Sequence, residues 1–151
     1  MEQSPRKPWW RRWFGTRSES AAAKFLKKLG YRILLRNYRC RHGEIDLIAL
    51  DGKCIVFVEV RSTSGDDLTI PAASVDEKKQ IRLTNLALAF LQEKRLLEHP
   101  ARFDVLAVSW PPGRLEPVIE HYPLAFEAVT LEDVLQAHFY RTRGSHRARR
   151  R

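Results

Sequence analysis

The sequence predicts an α/β fold in which a mixed β-sheet is flanked by helices. Two long stretches carry apolar residues at helical spacing, and the shorter stretches between and after them alternate in the way that is typical of strands. In chain order these segments read α-β-β-β-α-β-(β)-α, and this interleaving favours one sheet with helices packed on it. With 151 residues, the chain is long enough for one domain with a single substantial core.

The first helix is predicted to begin after Ser18, which can act as the N-cap, and to run to about residue 29. Its apolar stripe follows i, i+3, i+4, i+7 spacing and consists of Ala22, Phe25, Leu26 and Leu29. Gly30 then ends the helix. Glu19 lies in the first turn near the edge of the stripe. It is either turned toward the sheet or is an ordinary first-turn glutamate that the helix dipole favours.

Three strands are predicted next, at Tyr31–Cys40, 44–50 and 53–61, and the last two form a hairpin. The dipeptide Asp51-Gly52 favours a type I′ turn, because both residues tolerate positive φ. This turn pairs position 50 with 53 and Glu44 with Glu59. It makes Asp46 and Glu59 diagonal neighbours with Cα atoms roughly 7–8 Å apart, so that both carboxylates can reach one ion.

One face of this hairpin is predicted to carry four charged side chains, which are Glu44, Asp46, Glu59 and Arg61. The opposite face is apolar, belongs against a core, and consists of Ile45, Leu47, Ala49, Val56, Val58 and Val60. Because neighbouring carboxylates repel one another, a fold gathers them only with a counter-charge. All-oxygen ligation suits Mg²⁺, Mn²⁺ or Ca²⁺. The alternative is a surface hairpin whose acidic face pairs with Arg and Lys from elsewhere.

A loop over residues 62–73 follows the hairpin, and its Gly, Pro and paired aspartates predict mobility and substrate contact. A second helix is predicted from the capping box Ser74-Val75-Asp76-Glu77 to about residue 97. Its stripe is Leu83, Leu86, Ala87 and Phe90. One turn before Leu83, Lys79 falls on the inward face, where it either reaches the carboxylates or snorkels to solvent at the helix start.

The last predicted elements are a strand at residues 102–109, an edge strand at 116–122 and a short helix at 131–139 capped by Thr130. The turn Pro111-Pro112-Gly113 separates the two strands. The chain contains no internal repeat, no glycine-rich phosphate loop, no nucleophile elbow and no HExxH motif.

The net charge of +9 is concentrated at the two ends of the chain. Residues 1–17 carry five Lys/Arg and one Glu, residues 141–151 carry six Arg and no acid, and the 123 residues between them carry 16 basic and 17 acidic side chains. We therefore divide the chain into a basic, aromatic N-terminal arm (1–17), a single domain (18–140) and an Arg-rich C-terminal tail (141–151).

Basic arms of this kind favour phosphate contacts, and solubility alone is the alternative. The acid-free stretch before the hairpin adds Arg36, Arg39 and Arg41 as candidate nucleic-acid contacts, with Lys79 as a fourth. The tryptophans of the arm can stack on bases, pack on the domain or contact a partner or an anionic membrane surface. A homodimer is a further expectation.

The remaining composition predicts a soluble, cytoplasmic protein. No apolar run approaches the roughly 20 residues of a membrane span, and no signal peptide follows the charged start. Cys40 and Cys54 form no metal-spaced motif, so reduced packing residues are expected rather than a disulfide. The five histidines show no metal spacing and no partnered nucleophile.

From about residue 19 to 108, the chain carries in order the helix glutamate, RNYR, GEIDLIA, the DG turn, VFVEVR, VDEKKQ and RFDV. This combination resembles the bacterial YraN family of the PD-(D/E)XK nuclease superfamily, and the resemblance covers most of the predicted domain. It implies a restriction-endonuclease-like fold around one or two Mg²⁺ (or Mn²⁺) ions. Archaeal Holliday-junction resolvases share this core, so the resemblance also implies branched or structured DNA as a substrate class.

By position, the resemblance makes Glu19 the helix acid, Asp46 the metal-binding aspartate and Glu59-Val60-Arg61 the third element. It also implies a role for Lys79 at the edge of the site, and Glu44 is then an auxiliary ligand or a partner of the ligands. The sequence departs from the superfamily pattern at Arg61, which stands where the signature has lysine. Arginine stays protonated, so it can stabilise phosphate charge but cannot act as a base.

We therefore predict a divalent-metal-dependent endonuclease-like protein that binds DNA and hydrolyses its phosphodiester bonds. The alternative is a nucleic-acid-binding module that has kept the fold and lost the chemistry. A protein-interaction adaptor that docks through its aromatic arm is the third possibility.

Overall fold

The structure, a computed structural model, describes residues 9–63 and 75–128. Two helices and five strands follow one another along the chain: α1 Trp9–Lys28, β1 Arg32–Cys40, β2 Gly43–Asp51, β3 Cys54–Thr63, α2 Glu77–Glu93, β4 Ala101–Ser109 and β5 Val118–Phe126. The α/β class and the predicted order of these seven elements are confirmed. The predicted helix 131–139, most of the 62–73 loop and the tail 141–151 lie outside the described residues.

The five strands form one mixed sheet in the order β1-β2-β3-β4-β5. The β3 and β4 strands are parallel and are connected through α2, and every other pair is antiparallel. The first helix packs on one face, where the buried cluster is Ala22, Ala23, Leu26, Leu47, Ala49, Val56, Val58, Leu106 and Val108. The second helix packs on the other, against a cluster that includes Ile45, Ile48, Ile55, Phe57, Leu83, Leu86, Phe90 and Phe103.

The first helix begins at Trp9, so the prediction that Ser18 caps it was wrong. Ser18 lies wholly buried inside the helix, and its hydroxyl accepts hydrogen bonds from Trp110 and Ser62 rather than from the helix backbone. The predicted end is confirmed, because Gly30 adopts a positive φ of 92° and Tyr31 N–H donates to the Leu26 carbonyl. Since the helix stops at Lys28, Leu29 leaves the predicted stripe and is 53% exposed.

The second helix is capped by Asp76, whose side chain accepts from Lys79 N–H at 2.7 Å. The expected capping box that starts at Ser74 was therefore wrong in register by two residues, although Ser74 itself lies outside the described residues. All four residues of the predicted stripe are buried. The helix ends at Glu93 rather than near residue 97, because Arg95 takes a left-handed φ of 56°.

The hairpin turn lies one residue later than predicted. Asp51 pairs with Cys54, so the turn residues are Gly52 and Lys53, and the predicted pairs 50–53 and Glu44–Glu59 are wrong. Gly52 alone has positive φ, at 58°, which suits a turn with glycine at its first central position. The later turn changes each pairing by two residues, so the side chains of the paired residues 47–51 and 54–58 keep their predicted faces.

The start of β2 is irregular, and this overturns the prediction that Ile45 and Leu47 share a face. Ile45 packs with the α2 cluster, whereas Leu47 packs with the α1 cluster. The β1–β2 ladder is interrupted between these positions, since it omits Asn37 and Asp46. Asn37, on β1 beside this interruption, has a left-handed φ of 52°.

The last strand was predicted at 116–122 but runs from Val118 to Phe126. It continues through Pro123 because it lies at the edge of the sheet, where a missing backbone N–H breaks no ladder bond toward a further strand.

Candidate metal centre

Three carboxylates from two elements meet at the end of the sheet where β2 begins and β3 ends. One oxygen from each of Glu19 on α1 and Glu44 and Asp46 on β2 lies within 4.8 Å of the others. Oxygen ligands at this spacing suit a hard divalent cation. The helix reaches the site because Ser18, the residue before Glu19, is held against β3 and the residue after β4 by its two hydrogen bonds.

Asp46 lies in a gap between β2 and β3. The ladder between these strands stops at the pair Leu47–Val58, and Val60 N–H instead donates to Asp46 Oδ2 at 2.8 Å. Burial is the largest cause that raises the pKa of Asp46, and the negative charges of Glu59 and Glu19 add to it. The hydrogen bond from Val60 and the positive charge of Lys79 lower the pKa, but the net result is a pKa of about 8. Without a bound cation this carboxyl is therefore largely protonated at neutral pH.

Glu19 experiences the same crowding. Burial, and then the negative charge of Glu44, raises its pKa above the ordinary value for glutamate. Two of the three carboxyl groups in the tight group are thus less acidic than they are in water. A divalent cation would remove this penalty, because it favours the ionised form of every carboxylate around it.

Glu59 lies beside this group and is engaged by two cations. Lys79 forms an ion pair with Glu59 Oε1, and Arg61 Nε lies 3.7 Å from the same oxygen. Only 11% of the Glu59 side chain is exposed. Arg61 Nε is itself buried and has no hydrogen-bond acceptor among the described residues.

Sequence analysis missed Asn37, which touches two members of the carboxylate group. With its amide nitrogen facing the acids, it donates to Glu44 Oε1 at 2.9 Å and to Glu19 Oε2 at 2.8 Å. A signal was present in the sequence, because asparagine is among the few residues that tolerate the left-handed conformation in the middle of a strand. Ser18 and Ser62 were also missed, because their contacts join elements that are distant in sequence.

The predicted nucleic-acid contacts Arg36, Arg39 and Arg41 are all exposed on or just after β1. Arg39 Nε pairs with Glu44 Oε2 at 3.0 Å, which links this strand to the carboxylate group. Arg41 Nε donates to His42 Nε2 at 3.3 Å in the β1–β2 turn. The structure thus places Arg39 at the site and the other two along the same edge strand.

A second polar cluster is centred on Asp104 of β4, and the sequence did not reveal it. Asp104 is wholly buried and is hydrogen-bonded by Arg102, His121 and the Leu124 backbone N–H. Arg102 also donates to the Tyr31 hydroxyl at 2.7 Å and pairs with an oxygen of Asp51 at 3.0 Å. Every polar group in this cluster has its partner within the fold.

Comparison with known proteins identifies the family. The model of the uncharacterised protein family UPF0102 matches residues 18–108, which include the carboxylate group, Arg61 and Lys79. This chain belongs to the UPF0102 family. The predicted YraN resemblance is thereby confirmed, since UPF0102 is that family.

Curated UPF0102 proteins match most of this chain. A relative from Syntrophus aciditrophicus is 48% identical over 114 residues, which cover 74% of this chain and 90% of that protein. A relative from Geobacter metallireducens is 44% identical over 113 residues, covering 75% and 91%. Both are named only as UPF0102 proteins.

Among solved structures, Pyrococcus furiosus SfsA in complex with Ca²⁺ matches 74% of this UPF0102 chain and 65% of its own chain. The TM-score is 0.33 and the sequence identity is 18%. Neither α1 nor α2, the two helices in the described part of the UPF0102 chain, is long and apolar enough to cross a membrane.

Proposed function

We propose that this UPF0102 chain is a divalent-metal-dependent nuclease that binds DNA and hydrolyses its phosphodiester bonds. The observation that carries the proposal is the group of three carboxylate oxygens within 4.8 Å on Glu19, Glu44 and Asp46, beside the cations Arg61 and Lys79. Carboxylates that hold a divalent ion next to fixed cations are a recurring arrangement for phosphoryl chemistry.

The donor set fits Mg²⁺ or Mn²⁺. It is all oxygen, and it comes from two elements that the fold holds together. Burial first, and then the neighbouring carboxylates, raise the pKa values of Asp46 and Glu19. A divalent ion held there supplies a polarised water and positive charge for the phosphate oxygens. In this arrangement Glu59 is a further ligand or the group that orients Lys79 and Arg61.

Arg61 and Lys79 are proposed to bind the scissile phosphate. The Arg61 side chain is 32% exposed, and a guanidinium has further N–H donors besides its buried Nε that can bind phosphate oxygens. Since a guanidinium stays protonated, Arg61 stabilises the charge of the phosphate and takes no proton from water. Lys79 is held in place by its ion pair with Glu59 and brings a second positive charge to the site.

The exposed cations Arg36, Arg39 and Arg41 are proposed to bind the flanking nucleic-acid backbone, together with the basic arm 1–17 and the tail 141–151. Such contacts read phosphates rather than bases, so they fit a substrate chosen by shape more than by sequence. We propose branched or otherwise structured DNA as that substrate.

The proposal is tested by incubating the pure protein with branched, nicked and single-stranded DNA in Mg²⁺ or Mn²⁺. We expect cleavage that EDTA abolishes and that Asp46→Ala lowers at least 100-fold, since the substitution removes a ligand. Asp51→Ala, at the far end of the same strand, is the matched control and should retain cleavage. No cleavage of any substrate, or cleavage that Asp46→Ala leaves unchanged, rejects the proposal.

A second candidate function is a nucleic-acid-binding module without catalysis. The observation that favours it is the pairing of Glu59 with both Lys79 and Arg61, because a lysine and an arginine that neutralise one carboxylate leave less charge to bind metal. It predicts DNA binding that persists in EDTA, with no cleavage by the wild type or by Arg61→Lys. Metal-dependent cleavage by the wild type excludes it.

A further inference from the structure

The backbone conformation of Asn37 is energetically unfavourable, and the hydrogen bonds of its side chain offset that cost. Its φ of 52° falls in the left-handed region, in the middle of β1, where the β1–β2 ladder omits both Asn37 and Asp46. A left-handed residue in a strand gives up regular pairing, so the fold retains it where the side chain makes a compensating contact. Asn37 makes that contact with the carboxylate group.

The side-chain amide joins acids from two elements. It donates to Glu19 on α1 at 2.8 Å and to Glu44 on β2 at 2.9 Å, and an amide nitrogen has two hydrogens to give. Its hydrogen bond to Glu19 lowers the pKa of that carboxyl, partly opposing the effect of burial. The amide is neutral. It therefore brings the two carboxylates together without cancelling the negative charge that attracts a cation.

We infer that Asn37 is a positioning residue that sets the spacing of Glu19 and Glu44 for one divalent cation. This inference shares with the proposed function the premise that the carboxylate group binds a cation, and it does not require catalysis. A lysine at this position would also bridge the two acids, but its charge would compete with the ion. The sharp left-handed bend brings the short amide of β1 to both acids, which a regular strand at this position would not do.

The test compares Asn37→Gly with the wild type by titrating Mn²⁺ and measuring the free ion by electron paramagnetic resonance. Glycine adopts positive φ without strain, so the backbone keeps its path while the amide is lost. We expect the Mn²⁺ dissociation constant to rise about 10-fold, the lower end for loss of a residue that orients metal ligands. The melting temperature of the metal-free protein should stay equal or rise.

The matched control is Arg95→Gly, which also replaces a residue of positive φ (56°) by glycine, but after α2 and away from the carboxylates. It should leave Mn²⁺ affinity unchanged, and its melting temperature should likewise stay equal or rise. A loss of Mn²⁺ affinity in both variants would show a general effect of the backbone and overturn the inference.

A double-mutant cycle with Glu44→Gln separates positioning from a structural role. If Asn37 acts through Glu44, the loss of Mn²⁺ affinity caused by Asn37→Gly should shrink when Glu44 is already neutral, whereas independent effects add. Additive effects, or Mn²⁺ affinity unaffected by Asn37→Gly, overturn the inference. A wild type that binds no Mn²⁺ overturns both this inference and the proposed function. Mn²⁺ binding that Asn37 controls, without DNA cleavage, rejects catalysis alone.

Discussion

The chemistry of single residues in this chain depends on where the strands separate. Asp46 occupies a gap between β2 and β3, where its side chain accepts the backbone N–H of Val60 in place of a carbonyl of β2. It also lies beside Glu59 and Glu19. The sequence predicted that Asp46, Glu44 and Glu59 lie near one another, because side-chain alternation fixes their face. It did not reveal that Glu44 joins Glu19 and Asp46 in the tightest group while Glu59 pairs with Lys79, since those distances depend on the packing of α1 and α2.

Asp46 makes the metal-free protein less stable as the pH rises. Its pKa is about 8 in the folded protein and ordinarily 3.8, so between these values the folded state binds more protons than the unfolded state. The unfolding free energy therefore falls as the pH increases across this window. Asp46→Asn keeps an oxygen for the Val60 N–H and has no proton to lose.

In EDTA, Asp46→Asn should therefore be about as stable as the wild type near pH 4 and more stable at pH 8. The expected gain at pH 8 is on the order of a few kcal/mol, since one pKa unit corresponds to about 1.4 kcal/mol. Urea unfolding at both pH values measures it. Equal stability of the two proteins at pH 8 would contradict the raised pKa.

At the scale of elements, regular patterns were predictable and irregular positions were not. The stripe of α2 repeats over several turns, and all four predicted residues are buried. The turn at Gly52-Lys53 differs by one residue from the prediction, yet the faces of the paired residues 47–51 and 54–58 are as predicted because the pairing changes by two. The irregular start of β2 leaves no periodic signal in the sequence, so the transfer of Ile45 to the other face was not predictable.

The buried ion cluster around Asp104 on β4 contributes to the stability of the fold. Burial alone would raise the pKa of Asp104, but hydrogen bonds from His121, Arg102 and the Leu124 backbone outweigh it and lower the pKa. A lowered pKa stabilises the fold above the pKa of the unfolded state, and this contribution is lost as the pH falls through the folded value. Asp104 thus opposes Asp46 in its effect on the pH dependence of stability.

We expect Asp104→Asn to lower the unfolding free energy at pH 7 by about 3 kcal/mol, because it leaves Arg102 with a neutral buried neighbour. Asp51→Asn is the matched control, since it neutralises the other carboxylate that pairs with Arg102. That partner is 43% exposed, so the loss should be below about 1 kcal/mol. Chemical denaturation of both variants and the wild type measures these losses of unfolding free energy. Equal losses would indicate that burial of the ion pair is not what matters.

Across the whole molecule, the two polar clusters have opposite electrostatic designs. The cluster around Asp104 is complete within the fold, with an arginine and a histidine on one buried carboxylate. The cluster around the start of β2 collects four acids, Glu19, Glu44, Asp46 and Glu59, and two of them have raised pKa values. Among the described residues, burial and mutual repulsion thus make the ionised form unfavourable at Asp46 and Glu19. A cation bound at the proposed site would relieve this penalty.

The difference between the two clusters predicts how a bound metal changes the pH dependence of thermal stability. A bound cation keeps the carboxylates ionised, so binding releases protons and strengthens as the pH rises. The increase in melting temperature caused by saturating Mn²⁺ should therefore be small at pH 5 and several-fold larger at pH 8. Differential scanning calorimetry in Mn²⁺ and in EDTA measures the increment at each pH. Asp46→Asn should show a reduced increment at pH 8, since it has lost a charged ligand. An increase in melting temperature that is the same at both pH values would mean that Mn²⁺ binds elsewhere. The affinity of a site whose ligands do not titrate between pH 5 and pH 8 does not change with pH in this range.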